Sequence, residues 1–126
     1  MDILISNTNN EPIYLQIERQ IRELILKGEL KEGDALPSMR TLAKELRISM
    51  ITTKRAYEDL ERDGFIESYT GRGSFVKAQN MEFLKETVLS QIEELLSEAL
   101  EKGKSIGLSR AELEEMLSML YEEEGQ

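Results

Sequence analysis

Histidine, cysteine and tryptophan are all missing from this sequence of 126 residues. Without histidine, the chain lacks the side chain that proteins use most often as a general base and as a zinc ligand. Without cysteine it has no disulfide framework and no thiol nucleophile, so we expect a reducing compartment such as the cytoplasm. Because no Ser-His or Cys-His nucleophile can be assembled, the composition argues against an enzyme, and we expect no cofactor and no metal site.

Long apolar runs are missing as well, since no stretch approaches the ~20 residues that span a bilayer. The N-terminal stretch "MDILISNTNN" has neither the basic start nor the long apolar core of a signal peptide. We therefore expect no insertion into a membrane. Residues 1–10 are polar around a short apolar stretch and are predicted to form a mobile N-terminal arm.

The net charge of −9 is distributed unevenly along the chain. Residues 1–80 contain 12 Lys and Arg against 13 Asp and Glu, whereas residues 81–126 contain 4 against 12. Between residues 40 and 55, a single acidic side chain, Glu45, stands against these basic ones: Arg40, Lys44, Arg47, Lys54 and Arg55. A local basic patch of this kind can attract a polyanion even when the whole molecule is acidic.

The first helix is predicted by apolar residues that recur at spacings of three and four, which places them on one helical face. They are Ile13, Ile17, Ile21, Leu24 and Ile25 in the stretch "PIYLQIERQIRELILKG". We expect Asn10 to cap this helix, with Pro12 in its first turn, and Gly28 to end it. The stretch "ELKEGDALP" that follows is predicted to be a loop, because glycine and proline interrupt it.

Two shorter helices and a hairpin come next. Ser38 is expected to cap the helix "SMRTLAKEL" and Ser49 the helix "SMITTKRAYEDLERDG", with the tight turn "RIS" between them. The alternating stretches "FIESY" and "SFVK", joined by "TGRG", predict a β-hairpin. Three helices followed by a hairpin are the winged form of a helix-turn-helix DNA-binding module, which we place at residues 11–78.

Residues 79–126 predict two further helices, the first capped by Asn80 and ending near Gly103, the second starting with a capping box of Ser109 and Glu112. Their apolar stripes need more partner surface than the two helices offer each other, so a second copy of the chain is expected to cover them. The residues assigned to dimerisation are Leu84, Val88, Leu89, Ile92, Leu95, Leu96, Ala99, Leu100, Leu113, Met116, Leu117, Leu120 and Tyr121. The predicted fold is therefore mainly α with a small β-hairpin, a winged helix-turn-helix domain followed by a two-helix dimerisation appendage.

Three stretches, "LPSMRTLA", "ISMITTKRAYEDLERDGFI" and "GRGSFV", resemble the GntR-type winged-helix repressors in order and spacing. The resemblance covers residues 11–77, and the helices that follow resemble the short YtrA-type branch rather than branches with larger ligand-sensing or aminotransferase-like domains. It implies a homodimeric, sequence-specific repressor of its own operon, and in this branch often of transporter genes, that binds an operator with two half-sites. The effector is unknown, because the appendage has no evident pocket signature.

The resemblance also implies how DNA is contacted. The helix after Ser49 lies in the major groove, the preceding helix begins at a phosphate, and the hairpin tip enters the minor groove. The residues implied are Ser38, Arg40, Ser49, Met50, Ile51, Thr52, Lys54, Arg55, Gly71, Arg72 and Gly73. Hydroxyl groups can bond to base edges, and the apolar pair Met50 and Ile51 can contact thymine methyl groups. The family often has arginine where this chain has Met50, so the family's operator preference does not transfer.

Alternatives remain open from the sequence alone. The glycines around Arg72 do not form a phosphate-binding loop, because no helix follows them, but Arg72 can be a solvated hairpin charge instead of a DNA contact. For the whole protein, the alternative is a winged-helix protein–protein adaptor without DNA binding. Net acidity and Met50 favour the adaptor, whereas the basic residues between 40 and 55 and Arg72 oppose it.

Overall fold

A computed structural model describes residues 1–8 and 10–123, so residues 124–126 of the predicted appendage lie outside the described part. The elements in chain order are α1 (Ile13–Leu26), α2 (Met39–Leu46), α3 (Met50–Arg62), β1 (Ile66–Tyr69), β2 (Gly73–Val76), α4 (Met81–Ser105) and α5 (Arg110–Glu123). The predicted fold class, mainly α with one small antiparallel hairpin, is confirmed. The chain divides into two compact units, Met1–Leu84 and Lys85–Gln126, and the division falls within α4.

The core of the first unit forms where α1 and α3 pack together with α2 and β1. Its most deeply buried apolar side chains are Ile17, Ile21, Leu42, Ala56, Tyr57, Leu60 and Ile66. Apart from Ile66 in β1, these side chains lie on the apolar faces of the three helices, and Ile17 and Ile21 belong to the face predicted for the first helix. Full burial stabilises the folded chain by about 1.5–3 kcal/mol for each large side chain, and this is what holds the three helices together.

The helix starts differ in how they are capped. Ser38 and Ser49 accept hydrogen bonds from the backbone N–H groups of Thr41 and Thr52, as predicted for N-caps. The expectation that Asn10 caps α1 is wrong. The cap residue is Pro12, which offers no side-chain hydrogen bond, and its carbonyl accepts from backbone N–H groups of the first helical turn. Asn10 lies too far before the first turn to replace it.

The N-terminal segment packs on the domain, which differs from the mobile arm expected from the sequence. Ile3 is buried in the core. The side-chain amide of Gln20 bonds both the N–H and the C=O of Leu4, at 2.8 and 2.6 Å. Gln16 does the same for Ser6, at 2.8 Å each. The side chains of two glutamines on α1 thus make the hydrogen bonds to the backbone of this segment that a neighbouring strand would make. Polar composition alone does not reveal this arrangement.

The hairpin is joined by part of the loop that precedes α2. Strands β1 and β2 pair in the register Ile66 with Val76 through Tyr69 with Gly73. On the other side of β2, Ala35 forms a bridge with Phe75, and the N–H of Leu36 donates to the carbonyl of Ser74 at 2.9 Å. The sequence predicted only a loop here, because a bridge this short has no alternating pattern.

In the second unit, α5 approaches α4 at a glycine. The first of these helices was expected to end near Gly103, but it continues through this residue to Ser105. A Cβ at position 103 would lie 3.3 Å from Cδ1 of Leu113, so glycine permits close approach rather than ending the helix. The predicted capping box is present: Ser109 Oγ accepts from the N–H of Glu112, whose carboxylate accepts from the N–H of Ser109.

An apolar groove of about 520 Å³ opens between α4 and α5. It is lined mainly by Leu96, Ala99, Leu100, Leu113, Met116, Leu117 and Leu120. Across residues 1–8 and 10–123, no helix has the length and apolar character needed to cross a membrane.

Candidate nucleic-acid interface

The start of α2 is fastened to α3 by a tyrosine. Tyr57, buried in α3, donates its hydroxyl to the carbonyl of Pro37 at 2.7 Å, directly before the cap residue Ser38. Burial raises the pKa of Tyr57, so the phenol keeps its proton and remains a donor. The bond places the N-terminal end of α2, which carries Arg40, in a defined position relative to α3.

The turn between α2 and α3 is closed by a residue in the left-handed region. Arg47 has φ 57°, and in residues 1–8 and 10–123 it is the one non-glycine residue with positive φ. The N–H groups of Arg47 and Ile48 donate to carbonyls of the last turn of α2, which ends the helix sharply. Ser49 then starts α3 at once. This tight connection is what the predicted helix-turn-helix requires.

The hairpin of β1 and β2, residues 66–76, forms the wing of the winged helix-turn-helix and is tied to the segment before α2. The bond from Leu36 to Ser74 connects the segment before α2 to β2, and the hydroxyls of Ser68 and Ser74 lie 2.7 Å apart across the hairpin. At the tip, Gly71 has φ 78° and the N–H of Arg72 donates to the carbonyl of Tyr69, as in a type II turn. Arg72 is therefore held at the exposed end of a closed turn.

Of the four basic side chains predicted to contact DNA, three are free of protein partners. Arg40 on α2, Lys54 on α3 and Arg72 on the wing are all exposed. Among the residues that the structure describes, none of their side chains makes a hydrogen bond or an ion pair. Because their cationic groups are not neutralised within the chain, they are available to an anionic partner such as a phosphate backbone.

Arg55 differs from these three in a way that no pattern in the sequence indicated. Its guanidinium lies 4.0 Å from the centroid of the Tyr14 ring on α1, and its Nε lies 4.0 Å from Oδ2 of Asp59. The cation is thus already stacked and partly neutralised. Tyr14 at the start of α1 carried no pattern that separated it from an ordinary half-buried aromatic residue.

The hydroxyl groups expected at base edges, those of Ser49 and Thr52, and the one expected at a phosphate, that of Ser38, are also engaged within the chain. Ser49 Oγ accepts from the N–H of Thr52 and lies 2.8 Å from its Oγ1. Ser38 Oγ donates to Oγ1 of Thr41 at 2.8 Å. The exposed groups left in the first turn of α3 are the side chains of Met50 and Ile51.

A pair of carboxyl groups lies between α1 and α3. Glu18 is buried, and its Oε2 accepts no hydrogen bond from any residue within the described part of the chain. Burial and the hydrogen bond to Asp59 raise the pKa of Glu18 to about 7, against the attraction of Arg22. The same hydrogen bond, together with Arg62, lowers the pKa of Asp59. The two carboxyl groups therefore influence each other's pKa between α1 and α3, which spacing along the sequence did not suggest.

The side chains assigned to dimerisation remain largely uncovered in the single chain. Leu84 and Leu113 are half-buried, whereas the rest are exposed: Val88, Leu89, Ile92, Leu95, Leu96, Ala99, Leu100, Met116, Leu117, Leu120 and Tyr121. Contiguous apolar surface of this extent is characteristic of an interface with another molecule.

The sequence matches the family model of bacterial regulatory proteins, gntR family, over residues 13–76. The chain belongs to the GntR family. It is 36% identical to the HTH-type transcriptional repressor YtrA of Bacillus subtilis (strain 168) over 115 residues, which cover 91% of this chain and 88% of that repressor.

Two solved structures of DNA-binding proteins share this fold. YtrA from Sulfolobus acidocaldarius, a GntR-family transcription factor, has a TM-score of 0.59 and 40% identity, covering 73% of this chain and 97% of that one. The AraR DNA-binding domain in complex with an operator has a TM-score of 0.54 and 25% identity, covering 60% of this chain and 95% of that one.

These matches confirm the resemblance to the GntR family and to its YtrA-type members. This GntR protein is a DNA-binding transcriptional regulator, and it is not an enzyme. The adaptor alternative, which the sequence left open, is thereby excluded.

Proposed function

We propose that the protein is a homodimeric repressor that binds an operator with two half-sites in the DNA of its own operon. In this arrangement α3 enters the major groove, the start of α2 meets a phosphate, and the wing tip enters the minor groove. Transporter genes are further candidate targets, because the YtrA-type branch often controls them. The single observation that carries the proposal is that three of the four cations predicted to contact DNA are unpartnered and lie on mutually fastened elements: Arg40, Lys54 and Arg72.

The three cations serve different parts of the duplex in this proposal. Arg40 lies in the first turn of α2, where backbone N–H groups and the helix dipole also favour a phosphate. Arg72 extends from a turn whose glycines allow close approach to the minor groove, where the negative potential is strongest in narrow A·T tracts. Lys54 lies one turn into α3 and reaches a backbone phosphate beside the bases. Arg55, stacked on Tyr14, is assigned no direct contact.

The appendage brings a second copy of the DNA-binding unit to the second half-site of the operator. Its uncovered apolar side chains and the groove of about 520 Å³ between α4 and α5 fit a second copy of the same two helices. A two-fold axis then presents two identical DNA-binding units to a palindromic operator. Linking two half-site contacts raises the overall affinity by about 10²–10⁴-fold without any new contact to DNA.

Footprinting on the DNA upstream of its own gene, together with a sedimentation mass, tests this proposal. We expect two protected segments related by symmetry and the mass of a dimer. Affinity for that DNA should fall steeply with salt, with a log–log slope of about −0.9 for each phosphate neutralised. A protein that protects no segment, or that sediments as a single chain while binding, contradicts the proposal.

Substitutions separate the cationic contacts from the fold. Arg40→Ala and Arg72→Ala should each weaken binding to all DNA sequences alike and flatten the salt slope by about one unit. Arg62→Ala is a matched control, because Arg62 lies at the far end of α3 and is already paired with Asp59 at 3.0 Å. It should leave the salt slope unchanged. If Arg62→Ala flattens the slope as much as the other two, the assigned contacts are wrong.

A further inference from the structure

The first turn of α3 exposes two large apolar side chains that take no part in the domain's core. Ile51 is 81% exposed and Met50 is 44% exposed. Neither belongs to the buried cluster or to the half-buried residues that pack against it. Because exposed apolar surface is stabilised by leaving water, the pair favours a partner that offers apolar groups of its own.

The polar side chains of the same turn are partly engaged in hydrogen bonds within the chain. Ser49 and Thr52 bond to each other, with the two hydroxyl oxygens 2.8 Å apart. The hydroxyl of Thr53 is buried and donates to the carbonyl of Ser49 at 3.2 Å. The guanidinium of Arg55, one turn further, is stacked on an aromatic ring. Hydrogen-bonded recognition of bases by this turn is therefore restricted to the donors and acceptors that these bonds leave unused, whereas the two apolar side chains are fully available.

We propose, building on the proposed operator binding, that Ile51 and Met50 determine sequence specificity by packing against the C5-methyl groups of thymines. In the major groove, thymine is the one standard base that presents a methyl group. Lys54 follows Ile51 by three residues and Met50 by four, so it lies on the same helical face and holds the neighbouring phosphate. The preferred half-site thus carries thymine where the first turn of α3 meets the bases.

Replacing thymine by deoxyuridine tests this directly, because the change removes only the methyl group and keeps every hydrogen-bonding group of the base. Each thymine of the footprinted half-site is replaced in turn, and affinity is measured by fluorescence anisotropy at constant salt. We expect a loss of about fourfold for each contacted methyl group. When the replacement is made in both half-sites, the loss should reach about fifteenfold. Replacement at thymines outside the half-sites should change nothing.

Protein variants assign the effect to the side chains. Ile51→Ala should weaken binding to the thymine operator and bring the thymine-to-uracil affinity ratio close to one at the position it contacts. Met50→Ala should do so at a neighbouring position. Leu4→Ala is the matched control, because Leu4 is 79% exposed on the N-terminal segment of the same unit, and it should keep the wild-type ratio. Thermal unfolding of each variant verifies that the domain is folded.

The outcomes distinguish this inference from the function on which it rests. If the wild-type protein binds no DNA from its own region, the proposed function fails. If it binds the operator equally well with thymine or uracil at every position, methyl recognition is overturned while operator binding stands. A loss of the ratio in Leu4→Ala, or its retention in both Ile51→Ala and Met50→Ala, overturns the assignment to these two residues.

Discussion

The two units of this chain treat their apolar residues in opposite ways. Residues 1–84 bury isoleucine, leucine and tyrosine side chains in a core shared by three helices and the hairpin. In the described residues of the second unit, 85–123, only Gly103 is buried, while leucines along both helices stay exposed. The first unit is complete as a single chain. The second unit has the composition of a core, but its apolar side chains have no partner surface that covers them, as expected of an interface between copies.

The largest effect we expect comes from truncating one leucine in each unit. Leu60→Ala should lower the free energy of unfolding by about 2–5 kcal/mol at any protein concentration, since Leu60 is fully buried within its own chain. Leu117→Ala, at a side chain 48% exposed in the single chain, should lower the thermal midpoint by an amount that depends on protein concentration. Thermal unfolding at two well-separated concentrations distinguishes them. A loss for Leu117→Ala that is independent of concentration would break the comparison.

A second effect, on the order of 2 kcal/mol, should come from pH, because the buried carboxyl pair lies in the first unit. The pKa of Glu18 is raised to about 7 by burial and by Asp59. Its stabilising contribution is therefore complete below the ordinary glutamate pKa of 4.5 and is lost as pH rises through about 7. The pKa of Asp59 is lowered, so its contribution is lost only in more acidic solution. We expect the thermal midpoint to fall between pH 5 and pH 8.

Glu18→Gln tests this assignment of the pH dependence. Glutamine keeps the shape and can still donate to Asp59 but does not ionise, so the variant should flatten the decline and be more stable than wild type at pH 8. Glu23→Gln, at an exposed position of the same helix, is the control and should keep the wild-type slope. An unchanged slope in Glu18→Gln would show that another group titrates.

A third, smaller effect concerns the bond that positions α2 within the first unit. Tyr57→Phe removes the donor to the carbonyl of Pro37 and should cost about 1 kcal/mol of stability, with a few-fold loss of operator affinity. Tyr69→Phe removes a hydroxyl bonded to Glu67 on the exposed hairpin and should cost much less. Chemical denaturation and anisotropy measure both variants. Equal losses would mean that burial of the Tyr57 bond has no special importance.

The smallest effect is expected at the turn between α2 and α3. Arg47 holds φ 57°, where glycine has no steric penalty. Arg47→Gly should therefore raise the free energy of unfolding by about 0.5 kcal/mol, after the added freedom of the unfolded chain is taken into account. Lys44→Gly, inside α2, should instead lower it by about 1 kcal/mol. Destabilisation by Arg47→Gly would show that the arginine side chain itself stabilises the turn.

Features that depend on neighbours a few residues apart could be predicted from the sequence. The caps at Ser38 and Ser49, the capping box after Ser109 and the apolar faces of the helices are of this kind. The family motifs then indicated where DNA is expected. The cap at Asn10 was wrong, because a helix boundary also depends on the surface that packs on it.

The order of helices and hairpin, the uneven charge and the excess of apolar surface in the second unit follow from local spacing and composition, so they can be read from the chain alone. Which polar groups are free depends instead on how the folded segments meet. The tertiary structure placed Arg55 on Tyr14, bonded Tyr57 to Pro37 and left Ile51 uncovered. The first two contacts join residues far apart in the chain, and the exposure of Ile51 depends on the packing of the whole unit. Contacts and exposures of this kind exist only once folding brings distant segments of the chain together.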